Sequence, residues 1–172
     1  VKKYDRIRNL AGAIYHSGYK PQIWNKLIKD YASARSDISK DPYFSFEYLM
    51  AQLQKYNMPA IFYFMTGKTN AKYDHLDYDV EHETMKQVMD RLYNCGYEIG
   101  LHPSFESCKS TKILSAEKVK LERATGRKVT RIRQHYLRYE PGMTAVMQEE
   151  LGFEADSTIQ FTEGLGFAAG IC

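Results

Sequence analysis

Apolar residues recur at helical spacing through the first third of the chain. Positions i, i+3, i+4 and i+7 fall on one face of an α-helix, so each such stripe predicts an amphipathic helix. Pro21 is suited to begin a helix, and Gly18 and Asn57 are suited to end one. The stripes are Ile7, Leu10, Ala11 and Ile14, then Trp24, Leu27, Ile28 and Tyr31, then Phe46, Leu49, Met50 and Leu53.

From residue 60 onward, short apolar runs alternate with further helical stripes. The runs predict strands at 60–65, 97–101, 129–133, 153–155 and 167–171, and the stripes predict helices around 85–92, 114–125 and 143–151. Runs that are apolar throughout fit strands covered on both faces, as in a parallel sheet. Alternating strands and helices therefore predict an α/β fold with right-handed crossovers, as an open doubly wound sheet or part of a barrel.

Polar and ionisable residues follow the predicted strands at the points where they end. The carboxyl ends of parallel strands meet at one edge of a sheet, where α/β proteins place their chemistry. A histidine, a carboxylate and a second histidine from different loops are able to share one divalent metal ion, zinc or a similar one. The candidate metal ligands are His102, Glu106 and His135.

Four further residues at these strand ends are candidates for other roles. Arg133 could orient a carboxylate or stabilise an oxyanion, and Asp156 is the carboxylate that follows the fourth predicted strand. We assign both as catalytic candidates. Thr66 and Tyr136, which follow the first and third predicted strands, are candidate substrate-binding residues.

Each of these residues also has a purely structural interpretation. His102 is as well explained by a hydrogen-bonded structural histidine as by a metal ligand. His135 could belong to a buried polar network, and Arg133 could pair with a structural carboxylate. Asp156 could cap a turn or the start of a helix. The convergence of several strand ends, rather than any one residue, supports a functional site.

Composition excludes several classes of protein and leaves others open. The 172 residues suffice for one domain, and a net charge of +3 gives no footprint for a polyanion such as nucleic acid. No apolar run approaches the roughly 20 residues of a membrane span. Cys95, Cys108 and Cys172 are odd in number and lack C-x-x-C spacing, which argues against a disulfide framework and a structural zinc site. These three cysteines and the mean hydropathy of −0.52 slightly favour a cytoplasmic location.

Four stretches of the chain resemble motifs of the polysaccharide deacetylase family, also called the NodB homology family or carbohydrate esterase family 4. They are NMPAIFYFMTG at 57–67, GYEIGLH at 96–102, RQHY at 133–136 and GFEADST at 152–158. The resemblance spans roughly residues 41–172, with the motifs in the family's order and spacing. It implies an irregular (β/α) barrel with parallel strands and outer helices. It also implies metal-dependent hydrolysis of N-acetyl groups on glycans, by an amide hydrolase.

The chain departs from the family at three places. Glu106 stands where the second histidine of the family's His-Ser/Thr-x-x-His motif belongs. The family's Asp-Asp pair, which supplies the base, should precede Val1, and its histidine acid should follow Cys172. The resemblance thus implies that 1–172 is a single domain and a fragment of a larger barrel, with 1–40 as its helical N-terminal part.

The departures leave two functions open. One is a deacetylase-like hydrolase acting on a glycan or another N-acylated substrate. The other is a catalytically degenerate domain that binds carbohydrate or a protein through the same tyrosine-rich face. An incomplete barrel has open sheet edges. We therefore expect either pairing with a second copy or an edge covered by the N-terminal helices.

Overall fold

A computed structural model describes residues 7–18, 20–36 and 44–159, and within them the protein is a mixed α/β structure. The chain divides into two compact units, Val1–Met58 and Pro59–Cys172. Each unit is described by itself below. No helix within the described ranges has the length and apolar character needed to cross a membrane.

The first unit contains the three predicted helices. These are α1 (Ile7–His16), α2 (Pro21–Ser36) and α3 (Phe46–Lys55). The turn between α1 and α2 is closed by side chains, since Ser17 Oγ donates to the Ile14 carbonyl at 2.8 Å and Trp24 Nε1 donates to the Gly18 carbonyl at 2.9 Å. The helical stripes therefore located these elements correctly.

The second unit alternates strands and helices, as the sequence predicts. Its elements are β1 (Ile61–Phe64), α4 (Glu83–Asn94), β2 (Glu98–Leu101), α5 (Thr111–Thr125), β3 (Arg131–Ile132), α6 (Thr144–Glu150) and β4 (Ala155–Asp156). The strands form one parallel sheet in the order β1-β2-β3-β4. Short 3-10 turns, Ser107–Lys109 and His135–Leu137, follow β2 and β3. The predicted parallel sheet is confirmed.

The core of this unit lies between the sheet and its helices. The fully buried side chains from α4, β2, α5 and β3 include Met89, Leu92, Leu101, Leu114, Leu121 and Ile132. Helix α5 is capped by Ser110, the residue before its first turn, whose Oγ accepts a hydrogen bond from the Ile113 N–H at 3.4 Å. It ends at Gly126, whose left-handed backbone (φ 65°) is the conformation that a glycine at a helix end supplies. The helix predicted from the sequence is therefore present, with a capping residue at each end.

The strands differ from the prediction in burial and length. Strand β1 is not fully covered, since Phe64 is the buried residue of its four and Ile61 is 37% exposed. Strands β3 and β4 have two residues each, and β4 begins at Ala155 because Gly152 still belongs to the turn after α6. The strand predicted at 167–171 lies outside the described residues.

The strand ends are aligned at one edge of the sheet, as predicted. Beyond β2, β3 and β4, the next peptide N–H continues the ladder to the neighbouring strand. His102 N donates to Phe64 O at 2.9 Å, Arg133 N to Leu101 O at 3.0 Å, and Ser157 N to Ile132 O at 3.0 Å. The loops that follow these strands therefore begin side by side.

A tyrosine side chain links the first and last strands at this edge. Tyr63 lies opposite Gly100 in the ladder, and a Cβ atom at position 100 would stand 2.4 Å from the Tyr63 ring. Glycine at this position leaves room for the ring, whose hydroxyl accepts a hydrogen bond from Ser157 Oγ at 2.9 Å. This hydrogen bond thus links β1 to the turn that follows β4.

Candidate functional site

Two histidines from neighbouring strand ends meet at the carboxyl edge of the sheet. His102 directly follows β2, and His135 begins the 3-10 turn after β3. Nε2 of His102 lies 2.9 Å from Nδ1 of His135, and the two rings are perpendicular. Both side chains are half-buried. We call these two residues the histidine pair.

Backbone carbonyls determine which ring nitrogens carry hydrogen. His102 Nδ1 lies 2.7 Å from the Arg133 carbonyl oxygen, and His135 Nε2 lies 3.0 Å from the Tyr73 carbonyl oxygen. A carbonyl oxygen only accepts hydrogen bonds, so both of these nitrogens must be donors. In the neutral rings, the remaining nitrogens, His102 Nε2 and His135 Nδ1, then carry lone pairs.

These two lone pairs point at each other. Two neutral imidazoles therefore cannot form a hydrogen bond here unless a proton or a cation lies between the two nitrogens. Burial lowers the pKa of His102, the Arg133 carbonyl opposes that effect, and the charges of His135 and Arg133 add to it. A lowered pKa favours the neutral imidazole, the form that binds metal. A proton or a cation between Nε2 of His102 and Nδ1 of His135 would satisfy both lone pairs.

A buried carboxylate stands behind His135. Asp74 Oδ1 lies 3.7 Å from His135 Nε2 and accepts the Phe105 N–H at 2.8 Å. Asp74 Oδ2 accepts the N–H groups of Thr69 and Asn70, both at 2.7 Å. Burial by itself would raise the pKa of Asp74, but the donated hydrogen bonds from Asn70, Thr69 and Phe105 outweigh it and hold the pKa below its usual value. Asp74 is thus an ionised group inside the site.

A second buried carboxylate holds the loop after β2 from the other side. Glu117, on α5, accepts the Ser104 N–H at 2.8 Å and a short hydrogen bond from the Ser104 hydroxyl. A Cβ atom at Gly67 would lie 2.2 Å from Glu117 Oε1, so only glycine leaves room for this carboxylate. The Thr66 hydroxyl donates to the Glu117 carbonyl at 3.0 Å. Glu117 therefore ties the loops after β1 and β2 to the helix.

The third predicted metal ligand points to other partners. Glu106 Oε1 accepts a hydrogen bond from Asn70 Nδ2 at 3.4 Å, and Glu106 Oε2 lies 3.7 Å from Arg138 Nη1. The structure thus brings His102 and His135 together, while the contacts of the Glu106 carboxylate are with an amide and a guanidinium. Asp74 is the carboxylate beside the histidine pair.

The predicted catalytic residues lie at the same edge but bond to the turn after β4. Arg133 Nη1 donates to the Ser157 carbonyl at 2.9 Å. Asp156 Oδ1 accepts the Thr158 N–H at 2.7 Å and also the Thr158 hydroxyl. The Thr158 hydroxyl accepts the Gln134 N–H at 2.8 Å, which connects this turn to the residue before His135. Thr66, a predicted substrate-binding residue, is buried.

Three aromatic side chains form a cluster beside the histidine pair. Tyr73 and Phe105 stack with their centroids 4.2 Å apart, and Tyr136 meets both rings edge to face. The Tyr136 ring lies 4.6 Å from the ring of His135 and is 58% exposed. Its backbone is left-handed (φ 55°), a strained conformation for a residue with a side chain. Tyr73, Phe105 and Tyr136 are called the aromatic cluster below.

The residues present fit part of a metal site. Two nitrogens bound to one tetrahedral zinc lie about 3.3 Å apart, given Zn–N bonds of about 2.0–2.1 Å. The 2.9 Å separation in the histidine pair is shorter than that value, so the two rings would have to move apart and turn to share one ion. Within the described ranges, no group of three His, Cys, Asp or Glu side chains is arranged to hold a metal ion. The pair therefore supplies two donors.

Sequence reasoning did not identify Asp74 and Glu117. Glu117 does carry a signal, because it shares the buried stripe of α5 with Leu114 and Leu121, where a charged residue is out of place. Asp74 lies among other acidic residues of the loop after β1, and only its burial in the fold distinguishes it. Both residues act on the loop that follows His102.

The comparisons with known proteins found no match to a protein-family model, to a curated protein or to a solved structure.

Proposed function

We propose that the chain is a polysaccharide deacetylase-like domain that hydrolyses N-acetyl groups on glycans with a divalent metal, zinc or a similar ion. The observation that carries this proposal is the histidine pair, because its facing lone pairs require a cation or a proton. The pair stands at the carboxyl edge of a parallel sheet, where such chemistry is expected. The motif resemblance at 57–67, 96–102, 133–136 and 152–158 supplies the substrate class.

In this proposal His102 and His135 hold the metal, and a further ligand comes from elsewhere in the protein. When bound, a divalent metal lowers the pKa of water and polarises the amide carbonyl of the substrate. The protein's own contribution is orientation. In the neutral rings, the hydrogen bonds to the Arg133 and Tyr73 carbonyls leave the facing nitrogens of the pair with lone pairs for the metal. The irregular barrel, of which this sheet is one part, belongs to the same proposal.

The aromatic cluster has a place in this function as the surface for the glycan. Tyr136 is exposed beside His135 and has an apolar face that suits the C–H face of a pyranose ring. Its backbone is left-handed (φ 55°), and backbone strain of this kind is common at functional sites. Tyr136 is therefore the proposed sugar-contacting residue.

A second function is favoured by the contacts of Glu106. Its carboxylate pairs with Arg138, and Arg138 also stacks on the Phe105 ring at 3.9 Å from its centroid. A domain that keeps the aromatic cluster while its predicted third ligand is engaged elsewhere would bind carbohydrate without hydrolysing it. This catalytically degenerate carbohydrate-binding domain is the alternative function. In a second form of this alternative, the same face binds a protein instead of a carbohydrate.

Substitution of His102 tests the first function. The full-length protein is purified as wild type, as His102→Ala and as His75→Ala, where His75 is an exposed histidine in the loop after β1. Metal content is measured by elemental analysis, and acetate release is measured from an N-acetylated oligosaccharide. We expect His102→Ala to weaken metal binding by more than about 100-fold, the upper figure for outer-shell residues. We also expect it to abolish acetate release, and His75→Ala to match the wild type.

The same samples distinguish the alternative. Wild-type protein that binds the oligosaccharide but retains no metal and releases no acetate would support the degenerate binding domain. Metal content and activity that are unchanged in His102→Ala would show that the assignment of the histidine pair is wrong.

A further inference from the structure

We propose that Asp74 is a positioning residue for the histidine pair: its carboxylate closes the loop that aims His135 at His102. The inference rests on the proposed function only where it refers to metal. The arrangement of the two rings is a property of the protein itself, and it is measurable without metal. Asp74 does not contact the space between the facing nitrogens, so it acts through His135.

The first step is the closed turn that Asp74 makes with its own loop. Its carboxylate accepts the N–H groups of Thr69 and Asn70 and the Thr69 hydroxyl at 3.1 Å. The Asp74 N–H in turn donates to the Asn70 carbonyl at 2.8 Å. Residues 69–74 are thereby held in one conformation, which includes the Tyr73 carbonyl.

The second step is the contact with His135. The Tyr73 carbonyl and the Asp74 carboxylate both face Nε2 of His135, at 3.0 Å and 3.7 Å. A carbonyl and an anion on the same side of the ring keep the hydrogen on Nε2. In the neutral ring, the opposite nitrogen, Nδ1, then has its lone pair towards His102. In known metal sites, a histidine ligand donates its other ring N–H to a carboxylate or a backbone carbonyl that orients the ring. Here that acceptor is the Tyr73 carbonyl, which Asp74 holds in place through its own loop.

The third step connects Asp74 to the loop that follows His102. Successive peptide N–H groups in that loop donate to two different buried carboxylates, Ser104 N to Glu117 and Phe105 N to Asp74. Thr69 Oγ1, which lies 3.1 Å from Asp74 Oδ2, also lies 3.0 Å from Ser104 Oγ, so its one hydrogen is shared between these two acceptors. Asp74 therefore contacts three loops, those after β1, β2 and β3, and its removal should disturb both members of the histidine pair.

The test compares Asp74→Asn with a matched control in the full-length protein. Asp79→Asn is the control, because Asp79 lies in the same loop but is exposed and pairs with Lys120. Ring-nitrogen NMR shifts report the tautomers of His102 and His135, and chelator competition gives the zinc affinity. We expect Asp74→Asn to lose the single His135 tautomer and to bind zinc about 10–100-fold more weakly. Asp79→Asn should match the wild type in both readouts.

Thr69→Val serves if Asp74→Asn does not fold. It removes the exposed Thr69 hydroxyl, which lies within hydrogen-bond distance of Asp74 and Ser104 and accepts the Glu106 N–H. We expect smaller changes in the same direction. A folded Asp74→Asn with wild-type ring shifts and zinc affinity would overturn the inference, as would an unchanged Thr69→Val where only that variant folds. Wild-type protein that binds no zinc would count against the proposed metal, while the ring shifts would still decide the role of Asp74.

Discussion

Glu117 is a buried carboxylate whose two hydrogen bonds come from a single residue, Ser104. Burial raises its pKa, the Ser104 hydroxyl and N–H oppose this effect, and the negative charge of Asp74 adds to it. The pKa ends above its ordinary value of 4.5. Asp74 is shifted the other way by three peptide N–H groups. Two carboxylates that hold one loop therefore differ in how readily they ionise.

The raised pKa of Glu117 predicts a specific pH dependence of stability. The folded protein binds this proton more tightly than the unfolded chain does, so folding is favoured most below the unfolded pKa. The contribution is lost as the pH rises from about 4.5 through the folded pKa. Glu117→Gln keeps the shape and removes the titration. We expect the difference in free energy of unfolding, Glu117→Gln minus wild type, to become more positive as the pH increases above about 4.5.

Urea unfolding at a series of pH values measures this difference. Glu150→Gln is the control, since Glu150 is an exposed residue of α6. The difference in free energy of unfolding between Glu150→Gln and the wild type should not increase with pH as it does for Glu117→Gln. A constant difference between Glu117→Gln and the wild type across this pH range would contradict the prediction.

The sequence predicts those site residues that directly follow a strand. It does not predict the site residues that only their burial in the fold distinguishes. His102 and His135 were predicted because each follows an apolar run, and the structure places them in contact. Glu106 follows the same run, but its direction depends on Asn70 and Arg138 from other loops. Contacts between distant loops are not visible in local patterns, which is also why the role of Asp74 required the structure.

At the scale of elements, helices were easier to predict than strands. A helical stripe is a local pattern, and α4 and α5 match their stripes closely. The length of a strand depends on its neighbour, so β3 ends where its pairing with β2 and β4 ends. Local pattern therefore indicates where an element lies, and pairing decides how far it extends.

The start of α5 allows a test at this scale. Ser110 Oγ accepts the Ile113 N–H, so Ser110→Ala removes a helix cap and should lower the free energy of unfolding by about 1 kcal/mol. Ser115→Ala makes the same change inside the helix, where alanine is the better helix former. It should be neutral or stabilise by roughly 0.5 kcal/mol. Urea unfolding monitored by far-UV circular dichroism measures both, and effects of equal sign and size would contradict the capping role.

At the scale of the whole molecule, the site is a property of one compact unit. Loops after all four strands contribute to it, from Thr66 to Thr158. The ladder hydrogen bonds at the carboxyl ends of the strands bring these loops side by side. Every described site residue belongs to the unit Pro59–Cys172. Association of two copies through a sheet edge stays a prediction, as does the covering of that edge by the N-terminal helices.

This organisation predicts that residues 59–172 can be produced alone with the site intact. The core of Met89, Leu101, Leu121 and Ile132 and both buried carboxylates lie within this range. We expect the fragment to unfold cooperatively, to show the same ring-nitrogen shifts for the histidine pair as the full chain, and to bind zinc with an affinity within about threefold of it. The same fragment with His102→Ala is the control for specific binding. If the fragment is unfolded, or if its histidine shifts differ while the full chain binds zinc, the first unit is needed for the site. The two units would then have to be treated as one.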